Sequence, residues 1–159
     1  MMTDIKRTSS GGITFPLRDY SRLSLVYHSR VPGSDHEVFS VDDIVTTTTH
    51  ALNDVQQLAD ASDWGGHFNP LSPGPKGGKF EYPDSPVSVV FLQDQGGGKG
   101  PSYQTAQRAL AGISQTAQQL GWTEEAVITI QRRREGLELQ QGKIDFSRKA
   151  TNKETVAVY

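Results

Sequence analysis

Ten residues, QDQGGGKGPS (Gln93 to Ser102), gather the groups best suited to holding an anion. The apolar run VSVVFL leads into them and the helical pattern YQTAQRALAGISQTAQQL leads out. Strand, glycine-rich turn with a lysine, then helix is the layout in which backbone N–H groups cradle phosphate. The full pattern is broken. A phosphate loop needs a glycine where Gln93 stands and a hydroxyl where Gly100 stands. A dinucleotide fingerprint needs a third glycine where Pro101 stands. What survives is a helix start at Gly98 to Ser102, with Lys99 beside it and Pro101 and Ser102 suited to opening a helix. Arg132 and Arg134, from the run QRRREG, are the counter-charges such an anion site would use. The plainer reading of the same stretch is a connection whose glycines let the chain turn.

A second stretch, DWGGHFNP (Asp63 to Pro70), sets Trp64, His67 and Phe68 among glycines. Aromatic side chains carried on a loop make good binding anchors, because they bring large contact area at low entropic cost. The competing expectation is that the loop lays these rings back on the core. Three successive arginines, Arg132 to Arg134, raise RNA binding as a further alternative. RNA-recognition sheets also need aromatic residues on their central strands, and only Phe91 is on offer. The four histidines, His28, His36, His50 and His67, form no tight ligand pair, so no metal and no cofactor is expected. His50 and Asp54 stand one helical turn apart and read as a minor ionic contact. No G-x-S-x-G is present, and Asp42, Asp43, Asp54 and Asp60 read as a solvated helix face.

Composition bounds these readings. The chain has 159 residues, the size of one domain, with no cysteine, which excludes disulfides, thiol catalysis and cysteine-based zinc sites. A net charge of −2 gives no overall electrostatic footprint for nucleic acid or membrane. No run is apolar for long enough to suggest a membrane span, and the first residues lack the apolar stretch of a signal peptide. An intracellular product is expected, or a secreted one if a leader has been removed.

The elements that must position these residues follow from periodicity. LSLVYHS alternates as a strand. Ser40 opens a helix that runs to about Ser62, weakened by four threonines at 46 to 49. Residues 63–79 form a long Gly/Pro loop, KFEYP a short strand, and VSVVFLQ a central one. Tyr103 to Leu120 is a second helix, ended by Gly121 with Trp122 folding back on it. AVITIQRRR is a strand, and GLELQQGKIDFSR reads as an edge hairpin turning at Gln141-Gly142. Residues 1–12 and 150–159 read as tails flanking one α+β domain, 13–149. The order β-α-β-β-α-β plus a C-terminal hairpin predicts a two-layer ferredoxin-like sandwich, two helices covering one antiparallel sheet.

With catalytic motifs missing, the expected function is a non-catalytic protein-interaction or self-assembly module. It would use Trp64, His67 and Phe68, or strand addition along Leu137 to Phe146. The alternative is a small-anion-binding protein or modest enzyme using Gly98, Lys99, Ser102, Arg132 and Arg134.

Overall fold

A computed structural model describes residues 6–7, 13–17, 22–28, 39–61, 66–92, 100–121, 123–134 and 137–149, with backbone alone at 6, 7, 13, 134 and 137–139. Among the described residues two α-helices and seven strands follow one another as β1 (Lys6–Arg7), β2 (Ile13–Pro16), β3 (Leu23–His28), α1 (Val41–Asp60), β4 (Lys79–Glu81), β5 (Val87–Leu92), α2 (Tyr103–Leu120), β6 (Ala126–Arg134) and β7 (Leu137–Arg148). Both helices begin as their sequences dictate. Ser40 Oγ accepts from the Asp43 N–H at 3.0 Å, and Ser102 Oγ accepts from the Thr105 N–H at 3.2 Å. Gly121 closes α2 at φ 69°. The threonine run does not interrupt α1, because its inner members are used: Thr47 donates to Ser85 Oγ at 2.7 Å and Thr48 donates to the Ile44 carbonyl at 2.8 Å.

The strands form one antiparallel sheet in the order β1-β2-β3-β6-β7-β5-β4. Strand alternation sends Leu23, Leu25, Tyr27, Ile128, Ile130, Ile144, Phe146, Val89 and Phe91 to one face. There they pack with Ile44, Val55, Leu110 and Ile113 of the two helices, which lie against each other. The opposite face carries Ser24, Thr129, Lys143, Asp145, Ser88 and Glu81 by the same alternation. The α+β class, the antiparallel sheet and the two covering helices thus stand as predicted.

The ferredoxin-like strand order does not. In that topology each βαβ unit is split by a single strand, which would set β3 beside β5. Here β6 and β7 stand between them. The reason is the length of the β6–β7 hairpin: Arg134 faces Leu137 across residues 135–136, and the ladder runs from there to Ala126 opposite Phe146. A long local hairpin inserts as a unit, and consecutive strands usually pair.

The same ladder corrects the predicted edge hairpin. Leu137 to Phe146 is not a hairpin at an edge but part of one strand, paired on both sides from Lys143 onward. Gln141-Gly142 is no turn. Ile130 faces Gly142 while Gln131 faces Gln140, so Gln141 is the extra residue of a bulge. Gly142 is a close-approach glycine, since a Cβ there would lie 2.7 Å from Pro101 Cγ. On the N-terminal side, Lys6–Arg7 and Ile13–Pro16 are strands too short for alternation to reveal, the first of them inside the predicted tail. The remainder of both tails, and Trp122, lie outside the described residues.

Candidate functional site

The described part of the Gly/Pro loop, residues 66–78, is held by its own backbone and by one buried ring. Phe68 is 1% exposed and its ring lies 5.1 Å from that of Phe91, 5.3 Å from Tyr103 and 5.8 Å from Phe80, centroid to centroid. Its main chain is tied to the start of α2: the Phe68 N–H donates to the Pro101 carbonyl and the Gly100 N–H donates to the Phe68 carbonyl, both at 3.3 Å. Phe68 is therefore a pin that fastens the loop to the core and offers no surface to a partner, the second of the two sequence expectations. Trp64 lies outside the described residues. His67 is half-buried, with Nδ1 3.1 Å from the Gly100 carbonyl and its backbone bridged to Ser102.

Beyond Phe68 the loop folds on itself. The Asn69 N–H donates to the Lys76 carbonyl at 2.8 Å, the Ser72 N–H to the Asn69 carbonyl at 2.9 Å, and the Leu71 N–H to Asn69 Oδ1 at 3.1 Å. A short 3₁₀ turn, Gly74–Gly77, returns the chain to β4. Gly77 packs so tightly that a Cβ would lie 2.0 Å from the Ser72 carbonyl oxygen. Leu71 stands at the apex, 92% exposed. It was not singled out in the sequence because one leucine between Pro70 and Ser72 has no periodicity; the flanking Asn69 and Pro70 are the turn signal that was available.

The predicted anion site is brought together only in part. Gly98 and Lys99 lie outside the described residues. Ser102 already serves α2, accepting from the Thr105 N–H and donating to Thr105 Oγ1 at 3.0 Å. Strand directions place Arg132 at the same end of the sheet as the start of α2, since β5 runs into that helix and β6 lies parallel to β5 across β7. Arg132 and Arg133 are exposed, and of Arg134 only the backbone is described. Phe91, the one aromatic in VSVVFL, faces the helices. The other face of β5 and β6 presents Ser88, Val90, Leu92, Val127, Thr129 and Gln131, without a ring to stack a base.

The richest set of ionisable groups among the described residues is one the sequence did not reveal. Asp43, Thr47, His50 and Asp54 recur along one stripe of α1, and each meets the turn between β4 and β5. Ser85 Oγ donates to the Asp43 carbonyl at 3.1 Å and accepts from Thr47. His50 Nε2 lies 3.1 Å from Asp84 Oδ2, with the two side chains 46% and 57% exposed. The Tyr82 hydroxyl donates to Asp54 Oδ2 at 2.6 Å, and the Tyr82 ring lies 4.9 Å from the His50 ring. Lys149 Nζ donates to the Tyr82 carbonyl. The expected His50–Asp54 contact along the helix is replaced: each residue reaches across to the turn instead. The hydrogen bond from His50 holds the Asp84 carboxyl below its usual range. Burial, then the hydrogen bond and charge of Asp54, push the Tyr82 phenol well above its usual value. A phenol so raised stays protonated and donates to Asp54. The cluster works as a staple between α1 and the turn. Among the described residues no three histidine, aspartate or glutamate side chains converge as metal ligands.

A shallow groove between β2 and α2, lined by Phe15, Leu17, Gln115, Thr116 and Gln119, has room for about one water. No described helix is long and apolar enough to cross a membrane. No family model, curated protein or solved structure matches this chain.

Proposed function

We propose that the chain is a protein-interaction module without catalysis of its own, binding a protein partner or a second copy of itself through the loop at 66–78. The observation that carries this reading is Leu71, a large apolar side chain held almost wholly in solvent at the apex of a loop closed by its own hydrogen bonds and pinned by Phe68. A rigid loop loses little conformational entropy on binding, so a single presented side chain is used efficiently. The ionisable groups support the same reading, because they are spent on fastening α1 to the β4–β5 turn. The test is affinity capture from lysate of the source cells with wild type and Leu71→Asp side by side. A protein retained by wild type and lost with Leu71→Asp, at equal thermal midpoints, is the expected result; an identical set of retained proteins refutes the role of the loop.

The second reading, a small anion at the start of α2, rests on His67 being bridged to Ser102 and on Arg132 lying at the same end of the sheet. It requires a rise in thermal midpoint in millimolar phosphate, nucleotide or organic acid, since a ligand that binds only the folded state stabilises it. An unchanged midpoint removes it.

A further inference from the structure

We propose that two copies of the chain associate about a two-fold axis through antiparallel pairing of β4 with β4, extending one sheet into the other. The proposal goes beyond the function proposed above and uses a different surface from Leu71.

Backbone geometry supplies the first part. The Phe91 N–H donates to the Gly78 carbonyl at 2.8 Å, and the register sets Gly78 opposite Phe91 and Phe80 opposite Val89. Hydrogen-bonded pairs alternate along an antiparallel ladder, so Phe80 turns its N–H and carbonyl toward β5, as Gly78 does its carbonyl, while the Gly78 N–H closes the preceding turn on the Pro75 carbonyl at 3.0 Å. Lys79 and Glu81 turn theirs outward, to an edge with no strand beside it among the described residues. Two outward-facing residues separated by one are what a short antiparallel seam requires: Lys79 facing Glu81 of the second copy, twice, makes four backbone hydrogen bonds.

Charge supplies the second part and names the occupant. Lys79 and Glu81 stand one on each side of Phe80, their side chains on the same face of the sheet, 4.0 Å apart within the chain. Ser88 donates to Glu81 at 2.7 Å and fixes its position. Rotation about an axis through Phe80 exchanges the two positions, so every lysine meets a glutamate. Edges are commonly protected by short length and by charge. A single-sign edge repels every copy of itself; this one, with opposite signs placed symmetrically, deters strands of other pattern and matches its own. Three residues make a small seam, which fits a weak dimer that forms on concentration.

The experiment is sedimentation velocity from low micromolar to several hundred micromolar chain, on wild type, Lys79→Glu, Glu81→Lys, the double reversal, and an equimolar mixture of the two single variants. Both residues are exposed, and circular dichroism checks that each variant folds. Wild type shows a reversible dimer. Each single reversal sets like charges opposite each other twice and weakens the dimer roughly tenfold or more. The double reversal restores it, and the two single variants, each poor at pairing with itself, pair with each other. A wild type that stays monomeric throughout, or a dimer equally strong in all five samples, overturns the proposal. A dimer lost with Leu71→Asp but indifferent to these charges also overturns it, while leaving the loop reading standing.

Discussion

Replacing Phe68 with alanine should unfold much of what stabilises this chain, although the residue sits in a loop of glycines and prolines. The residue is only 1% exposed and its ring packs against three others, those of Phe80, Phe91 and Tyr103. Phenylalanine-to-alanine changes at buried sites cost about 3–5 kcal/mol from lost transfer energy and the cavity left behind. That range already includes what aromatic pairs contribute beyond area, roughly 0.5–1.5 kcal/mol each. The loop cannot collapse into the space, because Phe68 is also tied through its backbone to Gly100 and Pro101. A loss of about 4 kcal/mol is therefore expected, a large share of the roughly 5–15 kcal/mol that holds a typical domain. At this chain length it lowers the thermal midpoint by roughly 8–16 °C. Urea unfolding followed by fluorescence and circular dichroism measures it, with Leu71→Ala as the control. Leu71 is in solvent, so that variant should stay within about 0.5 kcal/mol of wild type. A Phe68→Ala protein within about 1 kcal/mol of wild type, or a Leu71→Ala protein equally damaged, would refute the division of the loop into pin and presented apex.

Three further outcomes follow from the same geometry. Tyr82→Phe removes the donor to Asp54 and should cost about 1–2 kcal/mol in urea unfolding, toward the lower end for hydrogen bonds to charged groups because the site is partly solvated. Asp84 has a lowered folded-state pKa, so its contribution is present above the unfolded carboxylate value and lost as pH falls through the folded one. Wild type should accordingly exceed Asp84→Asn in thermal midpoint near about pH 6, with the difference closing toward about pH 3. Gly142→Ala drives a Cβ to 2.7 Å from Pro101 Cγ and should destabilise by about 1–3 kcal/mol, measured by denaturant midpoint.

Local signals in the sequence located the helices and the strands β3, β5 and β6, and local signals are what failed elsewhere, above all at β7, the longest strand, which reads as a hairpin. Ser40 and Ser102 cap helices, Gly121 ends one, and the alternation in LSLVYH and AVITI marks strands, because each depends on residues a few positions apart. Strand order depends on pairings far apart in sequence, and nothing in AVITIQRRR says that it lies beside both β3 and β7. Glycine was ambiguous for a physical reason: the freedom that suits Gly142 to a turn also lets Pro101 approach it. The candidate site was legible to the same extent. His67 and Phe68 were singled out as a group, yet burial of one and half-burial of the other is a tertiary fact. Asp84 and Tyr82 became notable only when the fold laid their turn along α1, and Leu71 only when the loop left it in solvent.

The place of the β6–β7 hairpin has a consequence for how the chain reaches this structure. β3 and β5 are made early, and their partners in the middle of the sheet are β6 and β7, which are made last. Until the hairpin leaves the ribosome, β2–β3 and β4–β5 are two separate ribbons with no shared ladder, and the helices have half a sheet to cover. The sheet is completed from its centre by the strands that follow all the others in the chain, so their early synthesis gives β3 and β5 no head start. Folding has to wait for the chain through Arg148 to emerge, and the contacts that then form are long-range and correspondingly slow to find.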